Sequence, residues 1–304
     1  MAEKNAVLLL AHGSPDSVDE IPQFLSQITR GRAVPAEVID EVKHRYGLIG
    51  RSPLTELTLQ QGNLLAKELK LPVYVGMRNW KPYIADAIRA MKLDGIERAA
   101  VICLAPQNSR TSVGLYRAAL EVEGGTPFAV DFVESWHDHP LLIQAFAEKF
   151  RAGWEPACRE MSARVPAIFT AHSVPQRTIA DGDPYEVQAK ETAMLVARQL
   201  SLAPGDWKFA FQSQGMSGGA WLGPTVESTI LAFKEAGHRG VFVQPVGFLC
   251  DHVEVLYDID IGFKQFAEKQ GMCLWRAASL NDSPLLTAAL ADLARSRIGS
   301  LSAK

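Results

Sequence analysis

Short apolar runs alternate with longer amphipathic segments along most of this chain. Each run is four to seven residues long and rich in strand-forming side chains, which predicts a buried parallel strand. The runs lie at 7–11, 73–76, 99–105, 129–133, 167–170, 208–212 and 240–246. Between them, segments such as 82–91 and 187–200 place apolar residues at three- and four-residue intervals, as helices with one buried face do. The alternation predicts an α/β fold made of βαβ units.

One pattern occurs twice: an apolar run, then Ala-His-Gly or Ala-His-Ser, then a proline. The first copy contains His12 and the second contains His172. Each histidine follows a predicted parallel strand, and open α/β sheets bind ligands at the carboxyl ends of their strands. The repeat therefore predicts two similar Rossmann-like domains, each a parallel sheet flanked by helices, with the active site in the cleft between them.

The predicted boundary between these domains lies near residue 153. Segment 150–165 contains Gly153 and Pro156 within a mixed-charge, helix-like run, which favours a bridge between the halves. We therefore predict an N-terminal α/β domain over residues 1–153 and a C-terminal α/β domain over residues 154–304. Two domains also suit a chain of 304 residues.

Composition narrows the class of protein. Hydrophobic residues make up 47% and charged residues 21%, with a formal net charge of −3, which is typical of a soluble globular protein and argues against nucleic-acid binding. No apolar stretch approaches the roughly 18 residues that would span a bilayer, and the first run is too short for a signal-peptide core. We expect a cytoplasmic protein. The four cysteines form no Cys-x-x-Cys pair, so buried free thiols are expected rather than disulfides, zinc or iron–sulfur sites.

The segment 247–260 is the richest in acidic residues with helical spacing. Asp251 is placed to cap a helix, and Asp251, Glu254 and Asp258 would share one helical face. Like charges on one face repel, so a path for a divalent metal is one explanation and a solvated acidic face near a helix N-terminus is the other. Imidazole accepts protons near neutral pH and binds transition metals, so His12 and His172 are candidates for either role.

Other side chains suit a planar ligand that carries carboxylates. Guanidinium groups bind carboxylates in bidentate geometry. The candidates for such contacts in the first half are Arg30, Arg32, Arg45, Tyr46 and Ser52. Trp80 and Trp221 are placed in loops where a planar ligand could stack, although core packing is equally common for tryptophan. The glycine-rich segment 212–224 has neither a phosphate-loop ending nor a dinucleotide fingerprint, so no nucleotide site is predicted.

Taken together, these segments resemble the ferrochelatase family over nearly the whole chain. Residues 171–175, Ala-His-Ser-Val-Pro, are similar to the family's catalytic histidine motif, and residues 251–257 are similar to its catalytic glutamate motif. Further matching segments lie, in order, at 52–55, 76–82, 105–109 and 221–225. The resemblance implies an enzyme, a lyase of haem biosynthesis that inserts iron into a porphyrin, with His172 and Glu254 as its catalytic residues.

Among the branches of the family, the short soluble form of monoderm bacteria is most similar at 28–32 and 133–136. That branch acts on coproporphyrin, so the resemblance implies insertion of Fe²⁺ into coproporphyrin III, with protoporphyrin IX as the alternative. The implied metal ligands are His172, Glu254, His12 and Asp258. The implied porphyrin-binding residues are His12, Arg30, Arg32, Arg45, Tyr46, Ser52, Asn79, Trp80, Ser109 and Trp221. Fe²⁺ and porphyrin are substrates, and no permanently bound cofactor is expected.

The sequence departs from this branch at two positions. His12 replaces a tyrosine that can ligate the product iron, and it is similar to the metal-binding histidine of the small cobalt and sirohydrochlorin chelatases. Gly262 stands where the acidic line often continues to a third carboxylate. We expect His172 to act as base and transient iron ligand with Glu254 as its partner, and His12 to hold the iron product from the opposite face of the ring.

Three alternatives remain open at this point. They are a sirohydrochlorin-type chelatase, a non-catalytic haem carrier that uses His12, and a two-lobed binding module. Retention of both His172 and Glu254 argues against the carrier. We expect a monomer that makes transient contacts with neighbouring enzymes of the haem pathway.

Overall fold

The computed structural model describes residues 3–121, 125–214 and 219–301 of the chain. These residues form two compact units: unit 1 contains the described residues up to 136 and from 281 onward, and unit 2 contains residues 137–280. Within the described residues, each unit is built on one sheet of four parallel strands with helices around it. The predicted fold class, two similar α/β halves with parallel sheets, is confirmed. Residues 215–218 of the glycine-rich segment lie outside the described residues.

The sheet of unit 1 has the strand order β2-β1-β3-β4, and every adjacent pair is parallel. The strands are β1 (Asn5–Ala11), β2 (Val73–Met77), β3 (Arg98–Cys103) and β4 (Ala129–Val133). The helices are α1 (Ile21–Ile28), α2 (Ala36–Ile49), α3 (Leu54–Leu69), α4 (Ile84–Leu93), α5 (Val113–Glu121) and, at the end of the chain, α12 (Pro284–Leu301). A 3₁₀ turn, Val18–Glu20, precedes α1. Residues 6–10 of β1 are fully buried, as expected for a central parallel strand.

The sheet of unit 2 has the equivalent order β6-β5-β7-β8, again parallel throughout. The strands are β5 (Ala167–His172), β6 (Trp207–Gln212), β7 (Gly240–Pro245) and β8 (Cys273–Arg276). The helices are α6 (Pro140–Met161), α7 (Gln176–Ala180), α8 (Tyr185–Gln199), α9 (Val226–Glu235), α10 (Val253–Leu256) and α11 (Lys264–Lys269), with a π-helix at Asp258–Phe263. Strand β5 takes the place that β1 has in unit 1, so the sequence repeat corresponds to a structural repeat.

The two units divide the chain differently from the predicted boundary at residue 153. Helix α6 runs through both Gly153 and Pro156, because its buried side chains, including Phe146 and Phe150, hold it against β7 and β8 within unit 2. Helix α12 packs on α3 and β3 and therefore belongs with unit 1, although it follows unit 2 in sequence. Local helix-breaking residues are thus outweighed by tertiary packing.

The cysteines depart in part from the expectation of buried thiols. All four described cysteines are free, but only Cys103 and Cys250 are buried, whereas Cys158 is half-buried and Cys273 is exposed. Burial raises the pKa of Cys103 to about 12, so its thiol stays protonated at neutral pH. None of the described helices is long and apolar enough to cross a membrane.

Phe150 tests the packing of α6 on the second sheet. Its ring centroid lies 4.9 Å from that of Phe242 and 5.9 Å from that of Phe169, and Phe150 is fully buried. Phe150→Ala should lower the free energy of unfolding by about 3–5 kcal/mol, measured by urea denaturation, because it leaves a cavity. Leu93→Ala, at a residue that is 82% exposed, should change it by less than about 0.5 kcal/mol. Equal effects of the two substitutions would contradict this packing.

Candidate active site

His172 is the last residue of β5, and its ring has a defined hydrogen-bond partner. Nδ1 contacts the carbonyl oxygen of Ser173, which can only accept, so Nδ1 must carry the hydrogen. In that tautomer the lone pair is on Nε2, the nitrogen that can take up a proton or bind a metal. The Tyr185 hydroxyl donates to the carbonyl of His172 at 2.9 Å and so fixes the backbone at the end of the strand.

Glu254 reaches His172 because the chain leaves β7 close beside β5. At Gly247 a Cβ atom would lie 2.8 Å from Cβ and 3.0 Å from Cα of Ala171, so a side chain there would push the two strands apart. The segment then enters α10, on which Glu254 Oε2 lies 3.6 Å from His172 Nε2. Both side chains are 34% exposed, so they form a solvent-accessible acid–base pair.

His252 is a member of this site that the sequence reasoning missed. Its Nε2 lies 3.9 Å from Oε2 of Glu254, and its Nδ1 donates to the carbonyl of Cys250 at 2.9 Å. Burial alone would lower the pKa of His252, but the contact with Glu254 and its charge, followed by the Cys250 carbonyl and Asp258, raise the pKa above its usual value. The Glu254 carboxylate thus lies between two imidazoles. In the sequence, the only sign that His252 belongs to the site was its position two residues before Glu254.

The prediction for Asp251, which was expected to cap the helix that carries Glu254, is wrong. His252, not Asp251, is the N-cap residue of α10. The Asp251 carboxylate instead accepts hydrogen bonds from Arg276 at 3.2 Å and from the Ser279 hydroxyl at 2.7 Å. Asp251 is therefore bound to a cation and to a hydroxyl that both belong to the last residues of unit 2. Of the other two acids of the predicted line, Glu254 contacts His172 and His252, and Asp258 accepts a hydrogen bond from Ser213.

Asp258 begins the π-helix, where the amide of Gly262 donates to the carbonyl of Tyr257 at 2.9 Å. This i→i+5 bond inserts an extra residue into the turn, so the α-helical spacing used in the prediction does not apply beyond Asp258. The Asp258 carboxylate accepts a hydrogen bond from the Ser213 hydroxyl. Ser213 follows β6, so this bond ties the π-helix to the same sheet end that carries His172.

Arg276, on β8, binds two acids of the segment that carries Glu254. Its guanidinium binds both oxygens of Asp260, at 2.7 and 2.9 Å, and also contacts Asp251. Burial alone would lower the pKa of Arg276, but Asp260 and then Asp251 raise it. Asp251 precedes α10 and Asp260 follows it, so one side chain fixes both ends of the turn that carries Glu254. The sequence did not indicate this role because β8 itself was not predicted.

In unit 1, His12 directly follows β1 and repeats the hydrogen bond of His172. Its Nδ1 lies 2.9 Å from the carbonyl oxygen of Gly13, so the lone pair is again on Nε2, and the side chain is exposed. Gly13 has a φ of +82°, and a Cβ atom there would lie 2.8 Å from Cβ of Trp80. Only glycine satisfies both conditions, which explains the Ala-His-Gly sequence.

The predicted carboxylate-binding residues of unit 1 are divided between surface and interior. Arg30 and Arg32 are exposed, and Arg45 is partly exposed and paired with Glu41 at 2.8 Å. Tyr46 is buried, and its hydroxyl lies 3.1 Å from that of Ser14. The buried Ser52 hydroxyl has no hydrogen-bond partner among the described residues. The three arginine side chains are therefore accessible to solvent, whereas Tyr46 and Ser52 are not.

The tryptophans differ in burial. Trp80 is fully buried and packs edge-on against Phe24 at 6.1 Å, so the structure shows the core-packing alternative for this residue. Asn79 and Ser109 are also buried, at 2% and 1% exposure. Trp221 is half-buried, and its carbonyl accepts from the Gln176 side chain at 3.2 Å. Of these four, Trp221 has the exposure that a ligand contact requires.

Arg78, between Met77 and Asn79, is a second residue that the sequence reasoning missed. Its guanidinium lies over the ring of Tyr116 at 5.7 Å, and burial, with the nearby charge of Arg30, lowers its pKa. Among the described residues, the buried Nε atom of Arg78 has no hydrogen-bond partner. Two neighbouring guanidinium groups and an unsatisfied donor favour an anionic ligand at this place. The motif at 76–82 contained Arg78, but nothing local distinguished it.

The ferrochelatase family model matches residues 4–298, which include both histidine motifs and the segment of Glu254. The chain belongs to the ferrochelatase family. A ferrochelatase from Acidobacterium capsulatum is 58% identical, over 100% of this chain and 97% of the relative. One from Deinococcus radiodurans is 40% identical over 94% of each chain, and a coproporphyrin III ferrochelatase from Geobacillus sp. is 35% identical over 97% of this chain and 98% of its own.

Solved structures agree at the level of the fold. The cobalt complex of the sirohydrochlorin chelatase SirB from Bacillus subtilis subspecies spizizenii matches with a TM-score of 0.55 and 12% identity, covering 99% of this chain and 98% of that one. The family model and the relatives, rather than these structures, show that the protein is an enzyme of haem biosynthesis that inserts metal into a porphyrin. In the described part of its chain, no three His, Cys, Asp or Glu side chains are grouped so that they could hold a metal ion.

The contribution of the Arg276 contacts to the stability of the fold can be measured by substitution. Arg276→Ala leaves Asp251 and Asp260 without their cation, at side-chain exposures of 20% and 37%. We expect the free energy of unfolding to fall by about 2–3 kcal/mol in urea denaturation, below the value for a fully buried pair because water screens Asp260. Arg89→Ala, which removes an exposed pair with Asp86, is the control and should cost less than about 0.5 kcal/mol. A loss as small for Arg276 would show that the contacts contribute little.

Proposed function

We propose that this ferrochelatase inserts Fe²⁺ into coproporphyrin III to give coprohaem. The observation that carries the choice of porphyrin is the arginine set of unit 1, in which Arg30 and Arg32 are exposed and the buried Nε of Arg78 has no hydrogen-bond partner among the described residues. Coproporphyrin brings four carboxylates and protoporphyrin two, so the former neutralises more of this charge. The Geobacillus relative, which bears the name coproporphyrin III ferrochelatase, spans almost the full length of this chain.

Protoporphyrin IX, giving protohaem, is the alternative substrate. The relatives from Acidobacterium and Deinococcus are more similar in sequence and bear the name ferrochelatase without a stated porphyrin. Two arginines would suffice for two propionates, so the alternative differs in the number of cationic contacts rather than in the metal chemistry.

The metal chemistry is proposed to depend on His172 and Glu254. Two pyrrole protons must leave the ring, and Nε2 of His172 carries a single lone pair, so it can accept them only one at a time. The first proton would pass on to the Glu254 carboxylate or to water before the second is accepted. The imidazolium formed would be stabilised by the Glu254 carboxylate 3.6 Å away. A pocket that favours a distorted macrocycle would draw roughly 1–5 kcal/mol of strain from binding energy elsewhere.

Iron as substrate would meet the same groups. His172 and Glu254 are proposed as transient ligands, and Asp258 as an earlier one, because imidazole and carboxylate bind divalent metals and exchange them. The Ser213 hydroxyl donates a hydrogen bond to the Asp258 carboxylate and so orients it. His12 is proposed as the ligand of the product iron, through the Nε2 lone pair set by its bond to Gly13.

The first test is anaerobic Fe²⁺ insertion followed by absorbance, with coproporphyrin III and protoporphyrin IX in parallel. We expect kcat/KM to be at least about 10-fold higher with coproporphyrin III, and kcat to fall by roughly 10²-fold or more in His172→Ala and Glu254→Gln, since each loses one half of the acid–base pair. Glu235→Gln, at an exposed position of unit 2, is the matched control and should act like the wild type.

Other outcomes would change the assignment. Faster turnover of protoporphyrin IX would establish the alternative substrate. Insertion at wild-type rates in both His172→Ala and Glu254→Gln would contradict the proposed chemistry, and haem binding without any insertion would indicate a carrier.

A second test addresses His12. The absorption and resonance Raman spectra of bound coprohaem should change in His12→Ala, and its dissociation constant should rise by about 10-fold, because an axial ligand is lost. His44→Ala, at an exposed histidine of α2, is the control and should leave the spectra unchanged. Identical spectra for the wild type and His12→Ala would show that another group ligates the iron.

A further inference from the structure

Gln212 is a buried amide at the end of β6, beside the catalytic strand. It is 2% exposed, and in the parallel register it is the partner of His172 on β5. Its Oε1 accepts from the Thr170 hydroxyl at 2.7 Å, and its Nε2 donates to the carbonyl of Glu254 at 3.0 Å and to the Ser213 hydroxyl at 3.3 Å. Both ends of the amide are therefore bonded within unit 2.

The direction of each of these bonds follows from the groups involved. The carbonyl of Glu254 can only accept, so the amide nitrogen of Gln212 must face it and the amide oxygen must face Thr170. The second amide hydrogen points to the oxygen of Ser213, whose own hydrogen is donated to the carboxylate of Asp258. Hydrogen bonds thus run in one direction from Thr170 through Gln212 and Ser213 to Asp258.

We propose that Gln212 is a positioning residue that sets where Glu254 and Asp258 lie relative to His172. Thr170, which anchors the amide, is two residues before His172 on the same strand. The amide holds the backbone of Glu254 directly and the carboxylate of Asp258 through Ser213, so neither of these groups can shift without breaking a hydrogen bond of this chain. Displacement of a reacting group by about 1 Å is enough to slow a reaction severely. This inference rests on the proposed roles of His172 and Glu254.

The chain contains a matched comparison for Gln212. Gln244 is also a fully buried glutamine near the end of a strand, on β7, the other neighbour of β5, where it is paired in register with Phe169. Its Nε2 donates to the carbonyl of Pro245 at 3.1 Å, and its Oε1 has no partner among the described residues. Gln244 is thus a buried amide of the same sheet without a hydrogen bond to either acid.

The test compares Gln212→Met with Gln244→Met, because methionine keeps the size and shape of glutamine but not its hydrogen bonds. Anaerobic Fe²⁺ insertion gives kcat and the two KM values, and urea denaturation gives the stability of each variant. We expect kcat of Gln212→Met to fall at least about 10-fold while KM for the porphyrin changes by less than about 3-fold, and Gln244→Met to keep kcat within about 2-fold. Wild-type kcat in Gln212→Met, or an equal loss in both variants, would overturn the proposal.

Ser213→Ala provides a measurement that does not depend on the folding of Gln212→Met. It removes only the branch that leads to Asp258, so we expect KM for Fe²⁺ to rise at least about 5-fold while KM for the porphyrin is unchanged. Unchanged values of both would overturn that branch of the proposal. The wild type, His172→Ala and Glu254→Gln are measured alongside. Retained activity in these two variants would refute the catalytic roles of His172 and Glu254. If only the Gln212 inference is wrong, both variants still lose activity while Gln212→Met does not.

Discussion

The ring nitrogen Nδ1 of His172 donates a hydrogen bond to the carbonyl of Ser173, and the candidate site of unit 2 depends on this bond. Because the carbonyl can only accept, the tautomer is fixed and the reactive lone pair is on Nε2. That atom is useful only if an acid lies near it, and Gly247 allows the chain to bring Glu254 within 3.6 Å. A side chain at residue 247 would separate β7 from β5 and so the acid from the base.

The repeated fold has diverged where the chemistry differs. Both central strands end at a histidine whose Nδ1 is bonded to the following carbonyl, and both sheets have the same strand order. In unit 1, the backbone amide of Arg78 donates to the carbonyl of Ala11, the residue before His12, at 3.0 Å. In unit 2, Glu254 and Asp258 accompany the histidine. The shared backbone positions an imidazole, and the loops decide whether its neighbours suit an anionic ligand or a cation.

Local patterns in the sequence were sufficient for most of the fold. Strand Ala129–Val133 was predicted with its bounds, and the other six predicted strands were found with shifts of one or two residues at either end. Strand β8 was missed because it has only four residues and begins at an exposed cysteine. The boundary at 153 was misplaced because Gly153 and Pro156 are tolerated in α6, whose buried face outweighs their local preference.

The site was less predictable because its decisive contacts join residues far apart in sequence. Gln212 reaches Glu254 and Arg276 reaches Asp251, and no spacing rule relates such pairs. The helix-capping role of Asp251 was a reasonable expectation that failed, since a guanidinium competes well with a backbone amide for a carboxylate. Beyond Asp258, the π-helix makes the α-helical spacing inapplicable, because periodicity arguments assume 3.6 residues per turn.

The four acids of residues 251–260 differ in the groups that they contact, and this difference distinguishes structural carboxylates from the proposed reactive ones. Asp251 and Asp260 contact Arg276, a cation that stays charged at any physiological pH. Glu254 contacts the imidazoles of His172 and His252, and Asp258 accepts from the hydroxyl of Ser213. A metal displaces an imidazole or hydroxyl contact at lower cost than a bidentate guanidinium, so the proposed exchange of iron at Glu254 and Asp258 would leave the contacts of Asp251 and Asp260 in place. Removing Arg276 should therefore affect the shape of the site before it affects the chemistry.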